Sequence, residues 1–240
     1  MINKNFLFAF CCLLFLLNCK EAIKTTFSDV TISTKNNDIV AINIPQAYGN
    51  ETIITNINSE INKAVATALH IGEPESIPSI STEESIISFN KEYQSFKTNF
   101  PESTQIWEAQ IDGEILHQSP EIICIAITTY INTGGAHGNL NISFLNFNSE
   151  TGHLIPNENL FKNMDTFKKT AKTYFNETIK DNDYLFDSES FELPQNIAYN
   201  EDGIVLLYNT YEIAPYASGI IEFTIPFENV SDILVFNGSY

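Results

Sequence analysis

Three stretches of the chain repeat their apolar residues with the period of an α-helix. The first runs from Thr52 to Leu69, and its apolar face is formed by Ile53, Ile57, Ile61, Val65 and Leu69. The second follows a Ser81–Glu84 capping box and ends at Pro101. The third is predicted to begin with Asp165 as its N-cap and to reach Ile179. We therefore predict three amphipathic helices, each buried along one face.

Between these helices the pattern is typical of β-strands. Strands are predicted over 30–44, 105–116, 120–131, 140–147, 197–199, 204–208 and 220–225. The first is expected to stop at Pro45, and the stretch 120–131 is apolar throughout, which favours the centre of a sheet. Asp202-Gly203 predicts a hairpin. The fold class is therefore α+β, with antiparallel sheets and the amphipathic helices packed on one face.

Two segments fit neither helix nor strand. Residues 130–139 read Tyr-Ile-Asn-Thr-Gly-Gly-Ala-His-Gly-Asn, and their glycines permit a backbone with φ > 0, so we predict a sharp turn that presents His137. Residues 211–219 read Tyr-Glu-Ile-Ala-Pro-Tyr-Ala-Ser-Gly and suit an exposed recognition loop. We predict that both segments lie side by side on one exposed face, with contact residues His137, Asn139, Pro215 and Tyr216.

The amino terminus has the pattern of a lipoprotein signal. Residues 1–18 contain Lys4 and an apolar run over 6–17 that is too short to span a bilayer. Leu16-Leu17-Asn18-Cys19 resembles a bacterial lipobox, in which cleavage leaves Cys19 to carry acyl chains such as palmitate. Residues 19–29 would then be a tether. We expect a protein anchored by lipid only to the bacterial cell envelope, in the outer membrane.

Composition narrows the partner. The 240 residues include 12 basic and 30 acidic side chains, and the net charge is −18. Such a surface repels nucleic acid and anionic lipid head groups, and it favours a cationic protein. An acidic surface can also serve only to keep a protein soluble, so the charge by itself does not establish a cationic partner.

Cysteine usage fits an exported protein that has no disulfide. Cys11 and Cys12 leave with the signal and Cys19 is lipidated, so Cys124 is the single cysteine of the mature fold. It lies in an apolar predicted strand, where burial raises a thiol pKa and hides the sulfur. We predict that Cys124 is structural.

No catalytic motif is recognised. His137 is the best-presented histidine, but His70, His117 and His153 stand at no zinc spacing from it, and the sequence contains no Gly-x-Ser-x-Gly elbow. We therefore expect no enzyme activity, no metal and no cofactor. Three alternatives stay open: His137 holds the turn, it is the base of an enzyme that modifies wall polymers, or the protein has no specific ligand.

Several fragments resemble, in order, the RsiV/PdaC-type extracytoplasmic domain family. Asn43-Ile-Pro-Gln46, Ile57-Asn58 and Ile61-Asn62 are similar to its amino-terminal half. The carboxy-terminal half is similar at Thr133–Asn139, Leu160-Phe161, Asp202-Gly203 and 211–219. This resemblance implies two joined α+β halves, here 30–131 and 132–240.

The resemblance also implies a class of function. Members are exported modules of largely unknown function; one is an anti-sigma factor ectodomain that binds lysozyme, and another lies beside a peptidoglycan deacetylase domain. This sequence has neither a sigma-binding segment nor the deacetylase motif Thr-Phe-Asp-Asp-Gly-Pro. We expect a binding module whose partner is a cationic protein such as lysozyme or a peptidoglycan-type glycan.

Overall fold

The computed structural model describes residues 25–72, 81–180, 184–187 and 189–236. The predicted signal peptide 1–18, Cys19 and most of the predicted tether 19–29 lie outside these residues. None of the helices within the described ranges combines the length and the apolar character needed to cross a membrane. The elements are β1 (Thr26–Ile32), β2 (Val40–Tyr48), α1 (Glu51–Leu69), α2 (Thr82–Asn99), β3 (Glu108–Gln118), β4 (Ile122–Asn132), β5 (Asn139–Asn148), α3 (Met164–Thr178), β6 (Asn196–Tyr199), β7 (Gly203–Tyr208) and β8 (Ile221–Pro226).

The strands form two sheets, which confirms the α+β class. One sheet has the order β1-β2-β3-β4-β5 and the other the order β6-β7-β8. All neighbours are antiparallel except β2 and β3, which pair in parallel over Val40–Asn43 and Ala109–Asp112. The sequence pattern predicted antiparallel sheets, so this parallel pair was not predicted. Both α1 and α2 lie between these two strands in the chain, so the connection can return to the same end of the sheet.

The single strand expected over 30–44 is two strands. β1 begins at Thr26, within the predicted tether, and pairs with β2 as an antiparallel hairpin. The expected end at Pro45 is also wrong, because β2 continues to Tyr48. The β2–β3 ladder ends at Asn43, so the missing N–H of Pro45 removes no hydrogen bond to β3.

The three predicted helices are present, with one different cap. Asn50 caps α1, and Ser81 and Glu84 form the predicted capping box of α2. α3 is capped by Asn163, whose Oδ1 accepts from the Thr166 N–H at 2.9 Å. Asp165, the predicted cap, lies instead in the first turn, where its negative charge favours the helix dipole.

Two hydrophobic clusters form the core, and β4 contributes to both. Ile123, Ile125 and Ile127 face α1 and α2, whereas Ile122 and Cys124 face the three-stranded sheet and α3. β4 is therefore buried on both faces, which explains its continuous apolar run. Cys124 is fully buried, and burial raises the pKa of its thiol to about 12, in agreement with a structural role.

Asparagine side chains join the two sheets along the outer edge of β5. The Phe144 N–H donates to Asn196 Oδ1 at 2.8 Å, and Asn146 Nδ2 donates to the Ile197 carbonyl at 2.7 Å. These amides satisfy edge groups that a further strand would otherwise pair. β5 belongs to the first sheet although it lies beyond the predicted division at 131/132.

Candidate functional site

The predicted glycine turn connects β4 to β5. Gly134 has φ +102° and Gly135 has φ +108°, which confirms the need for glycine there. Asn132 Oδ1 accepts from the Gly134 N–H at 3.0 Å and holds the turn at its start. Gly138 serves a different purpose, because a Cβ on it would lie 2.5 Å from the ring of Tyr130. A side chain at 138 would therefore displace the Tyr130 ring from its position, and φ places no such demand there.

The loop 211–219 is fixed on β5 by side-chain hydrogen bonds. Asn209 Nδ2 donates to the Ile142 carbonyl and Asn209 Oδ1 accepts from the Ile142 N–H, both at 2.8 Å. The carboxylate of Glu212 accepts from the backbone N–H groups of Asn209 and Gln195 at 2.8 and 2.9 Å. Within the loop Tyr211 has φ +67°, a conformation that few non-glycine residues adopt. The loop is therefore held in one conformation by defined contacts.

The turn and the loop meet at His137 and Tyr216, as predicted. Their rings stack with centroids 3.7 Å apart and planes at 15°. The Tyr216 hydroxyl donates to the Gly138 carbonyl at 3.3 Å, and His137 Nδ1 lies 2.9 Å from the same oxygen. Because a carbonyl only accepts, Nδ1 is the donor in this hydrogen bond. One carbonyl thus fixes both rings.

A third ring extends this arrangement. Tyr211 lies 5.7 Å from Tyr216, centroid to centroid, and is 55% exposed. His137 and Pro215 are exposed and Tyr216 is half-buried. We call His137, Tyr211, Pro215 and Tyr216 the aromatic surface. Tyr211 was not among the predicted contact residues, although its position in the unassigned loop 211–219 was a signal for it.

Asn139 lies in a different environment from the other predicted contact residues. It is the first residue of β5 and lines an open groove of about 400 Å³ between α1 and the ends of β4 and β5. The polar groups along this groove include Thr67, Thr129, Asn141 and Ser143. Ala64 and Ile131 contribute apolar surface. The groove can therefore offer amide and hydroxyl groups beside an apolar strip.

The histidines and acidic residues do not assemble a metal centre in the part of the chain that the structure describes. No group of three or more histidine, cysteine, aspartate or glutamate side chains there could hold an ion. His117 is buried between the sheets, with its ring 5.9 Å from that of Tyr199, and burial lowers its pKa. His137 differs from it in environment, because His137 lies at the surface and contacts a phenol ring and a backbone carbonyl.

Comparison with protein families divides the chain into two consecutive matches. Residues 32–140 match the family described as deacetylase PdaC, and residues 157–228 match the protein family of unknown function DUF3298. The chain carries a PdaC-type domain followed by a DUF3298 domain. The resemblance inferred from sequence fragments is thereby confirmed. His137 lies in the first match, and Tyr211, Pro215 and Tyr216 lie in the second, so the aromatic surface combines residues of both matches.

Solved structures support the same fold. A DUF3298 family protein from Pseudomonas aeruginosa PAO1 is similar at 16% identity and a TM-score of 0.58, over 88% of this chain and 94% of its own. A DUF3298 family member from Bacteroides fragilis NCTC 9343 is similar at 18% identity and a TM-score of 0.61, over 90% of this chain and 95% of its own. No curated protein matches the sequence. The comparisons describe a DUF3298/PdaC module of unknown function.

Proposed function

We propose that this protein is a lipid-anchored envelope module that binds a basic protein, such as a lysozyme, through the aromatic surface. The observation that carries this proposal is the stack of His137 on Tyr216, which joins two distant segments into one exposed face. Tyrosine offers a large contact area with a polar tip at low entropic cost, which is why it is frequent among binding hot spots.

Preorganisation strengthens the argument. The Gly138 carbonyl fixes both rings, and Asn209 holds the start of the loop on β5. Ordering an interface on binding costs about 0.5–1.5 kcal/mol for each immobilised side chain, and groups already held avoid much of that cost. A rigid aromatic face is suited to recognition of a partner.

The charge of the chain selects the kind of partner. A net charge of −18 attracts a basic protein at long range, and this attraction speeds encounter. We expect association with lysozyme to slow steeply between low and physiological salt, because exposed charges more than about 10 Å apart are screened at 0.1 M. An association rate independent of salt would contradict the steering argument.

His137 acts in this proposal as a contact residue. Its Nδ1 is engaged by the adjacent carbonyl and its ring face is covered by Tyr216. The matching family is described as a deacetylase, so an enzyme is the competing hypothesis. Wild type and a His137→Ala variant, each incubated with purified peptidoglycan fragments, separate the two hypotheses. If the protein is an enzyme, wild type forms product and the variant loses turnover. If it is a binding module, wild type itself forms no product.

The direct test is an equilibrium titration with lysozyme. Tyr211→Ser removes an exposed ring from the aromatic surface, and we expect it to weaken binding about tenfold or more, as truncation of a hot-spot residue does. Tyr48→Ser is the matched control, because Tyr48 is also an exposed tyrosine, with 44% of its surface accessible. It lies at the end of β2 that is far from the glycine turn, whereas Val40, at the other end of β2, lies on the side of the sheet where the turn begins. Equal affinities for wild type and Tyr211→Ser would refute the proposed surface.

A peptidoglycan-type glycan is the second candidate, and the groove beside Asn139 favours it. Asn141 and Ser143 side chains lie beside apolar Ile131 in this groove, a combination suited to sugar hydroxyl groups and ring faces. Titration with soluble muropeptides tests this alternative. If muropeptides bind, Asn141→Ala should weaken muropeptide binding and leave the affinity for lysozyme unchanged.

The anchor is tested separately. Lipidation at Cys19 predicts that the wild-type protein incorporates labelled fatty acid and sediments with the outer-membrane fraction. A Cys19→Ser variant should do neither. Labelling that persists in this variant would contradict the proposed anchor.

A further inference from the structure

We propose that the surface for the basic partner continues from the loop 211–219 onto residues 184–187. There Tyr184 and Phe186 would contact apolar and cationic side chains, and Asp187 would pair with a lysine or arginine. This inference rests on the proposed function and extends it by a second contact segment. No helix, strand or contact residue was predicted from the sequence over 184–187.

Exposure of large apolar side chains is the first observation. Phe186 is 62% exposed and Tyr184 is 39% exposed, whereas Leu185 between them is half-buried against the core. The segment is thus anchored by Leu185 and presents its two aromatic rings to solvent. Exposed aromatic rings of this size commonly mark contact surfaces when they are grouped.

A backbone hydrogen bond places this segment against the loop 211–219. The Phe186 N–H donates to the Ile213 carbonyl at 2.9 Å, and Ile213 lies between Tyr211 and Pro215 in the loop. Consecutive Cα atoms are about 3.8 Å apart, so the Cα atoms of Tyr211 and Ile213 are separated by at most about 8 Å. Phe186 and Tyr211 therefore lie within the footprint of a single interface, which covers about 800 Å² on each partner. One partner can therefore contact both segments.

The charge of the segment fits a cationic partner. The Asp187 carboxylate accepts from the Ser190 hydroxyl at 2.7 Å and from the backbone N–H groups of Glu189 and Ser190 at 3.0 and 3.2 Å. These bonds, the Ser190 hydroxyl first, lower the pKa of Asp187 and hold its exposed carboxylate in position. A fixed carboxylate beside exposed aromatic rings is complementary to lysine and arginine side chains, which pair with the former and stack on the latter.

The test is the lysozyme titration with a Phe186→Ser variant of the full chain. We expect Kd to rise at least fivefold, with an unchanged thermal midpoint because Phe186 is exposed. Tyr48→Ser, the exposed aromatic control at the other end of the sheet, should change Kd less than twofold. Asp187→Asn should slow association, and the difference from wild type should be larger at low salt than at high salt.

Two outcomes separate this extension from the proposed function. If wild type binds lysozyme, Tyr211→Ser weakens binding and Phe186→Ser leaves Kd within twofold, the extension is wrong and the aromatic surface stands. If wild type binds no basic protein, the proposed function and its extension are both wrong. A fivefold loss for Phe186→Ser that Tyr48→Ser does not reproduce supports the extension.

Discussion

Replacement of Asn209 by alanine tests how the loop of the aromatic surface is held. The Asn209 side-chain amide donates to the Ile142 carbonyl and accepts from the Ile142 N–H, each at 2.8 Å. It thus pairs with both backbone groups of Ile142, as the backbone of a neighbouring strand would. Alanine removes both bonds and leaves two backbone groups of β5 without these partners. The expected result is a less stable protein whose loop has lost its attachment to the first sheet.

The magnitude follows from those two bonds. A buried polar group that loses its partner costs about 1–3 kcal/mol, and Asn209 is half-buried, so water replaces part of each bond. We take the lower end for each, which gives about 2 kcal/mol for the substitution. For a domain of this size, 1 kcal/mol shifts the thermal midpoint by about 2–4 °C, so Tm should fall by about 4–8 °C.

Urea unfolding measures this change directly, because a loss of stability shifts the midpoint without changing the slope. Asn43→Ala is the matched control: Asn43 is exposed and accepts a single bond from the Thr31 hydroxyl at 3.5 Å. Its effect should stay within about 0.5 kcal/mol. An Asn209→Ala variant as stable as this control would show that the amide bridges do not hold the loop.

Three further predictions concern buried groups. Burial lowers the pKa of His117 in the folded protein, so below about pH 6.5 the unfolded chain binds more protons than the folded one, and stability should fall as the pH decreases through that region. In urea unfolding between about pH 5 and 7, the His117→Gln variant should lose less stability on acidification than wild type. Gly203→Ala should cost about 2–3 kcal/mol in urea unfolding, because its Cβ would lie 2.0 Å from the backbone oxygen of Ile225, and a cost near zero would contradict this contact. Cys124, whose thiol pKa burial raises to about 12, should react with a thiol reagent only after denaturation; rapid labelling of the native protein would contradict its burial.

The helices were predictable because their signals are local. The four-residue period of α1 and the Ser81–Glu84 box depend on neighbours in the chain, and the structure agrees with both. The cap of α3 was misassigned for a similar reason, since Asn163 and Asp165 are both good capping residues two positions apart and local sequence does not distinguish them.

Long-range pairing was harder to predict. The parallel contact of β2 with β3 joins residues about seventy positions apart, and their patterns are those of any half-buried strand. Gly203 also shows this limit: Asp202-Gly203 predicted a hairpin correctly, but a close contact with Ile225, not a positive φ, explains the glycine. Such contacts depend on the assembled sheet.

The candidate site was predicted in part. The unassigned segments 130–139 and 211–219 identified the turn and the loop, and the His137–Tyr216 stack confirms that they meet. Tyr211 and Phe186 were not singled out, because their segments are positioned by long-range hydrogen bonds, from the Ile142 N–H to Asn209 and from the Phe186 N–H to Ile213. The amino-acid composition alone does not show where these side chains lie.

The most direct test of the central claim is a double-mutant cycle in lysozyme affinity. It uses His137→Ala, Tyr216→Ala and the double variant. Stacked rings couple by about 0.5–1.5 kcal/mol, so the double variant should lose less affinity than the sum of the single losses, by about two- to tenfold in Kd. Additive losses, or a wild-type protein that does not bind lysozyme, would contradict the account of one binding surface built from both segments.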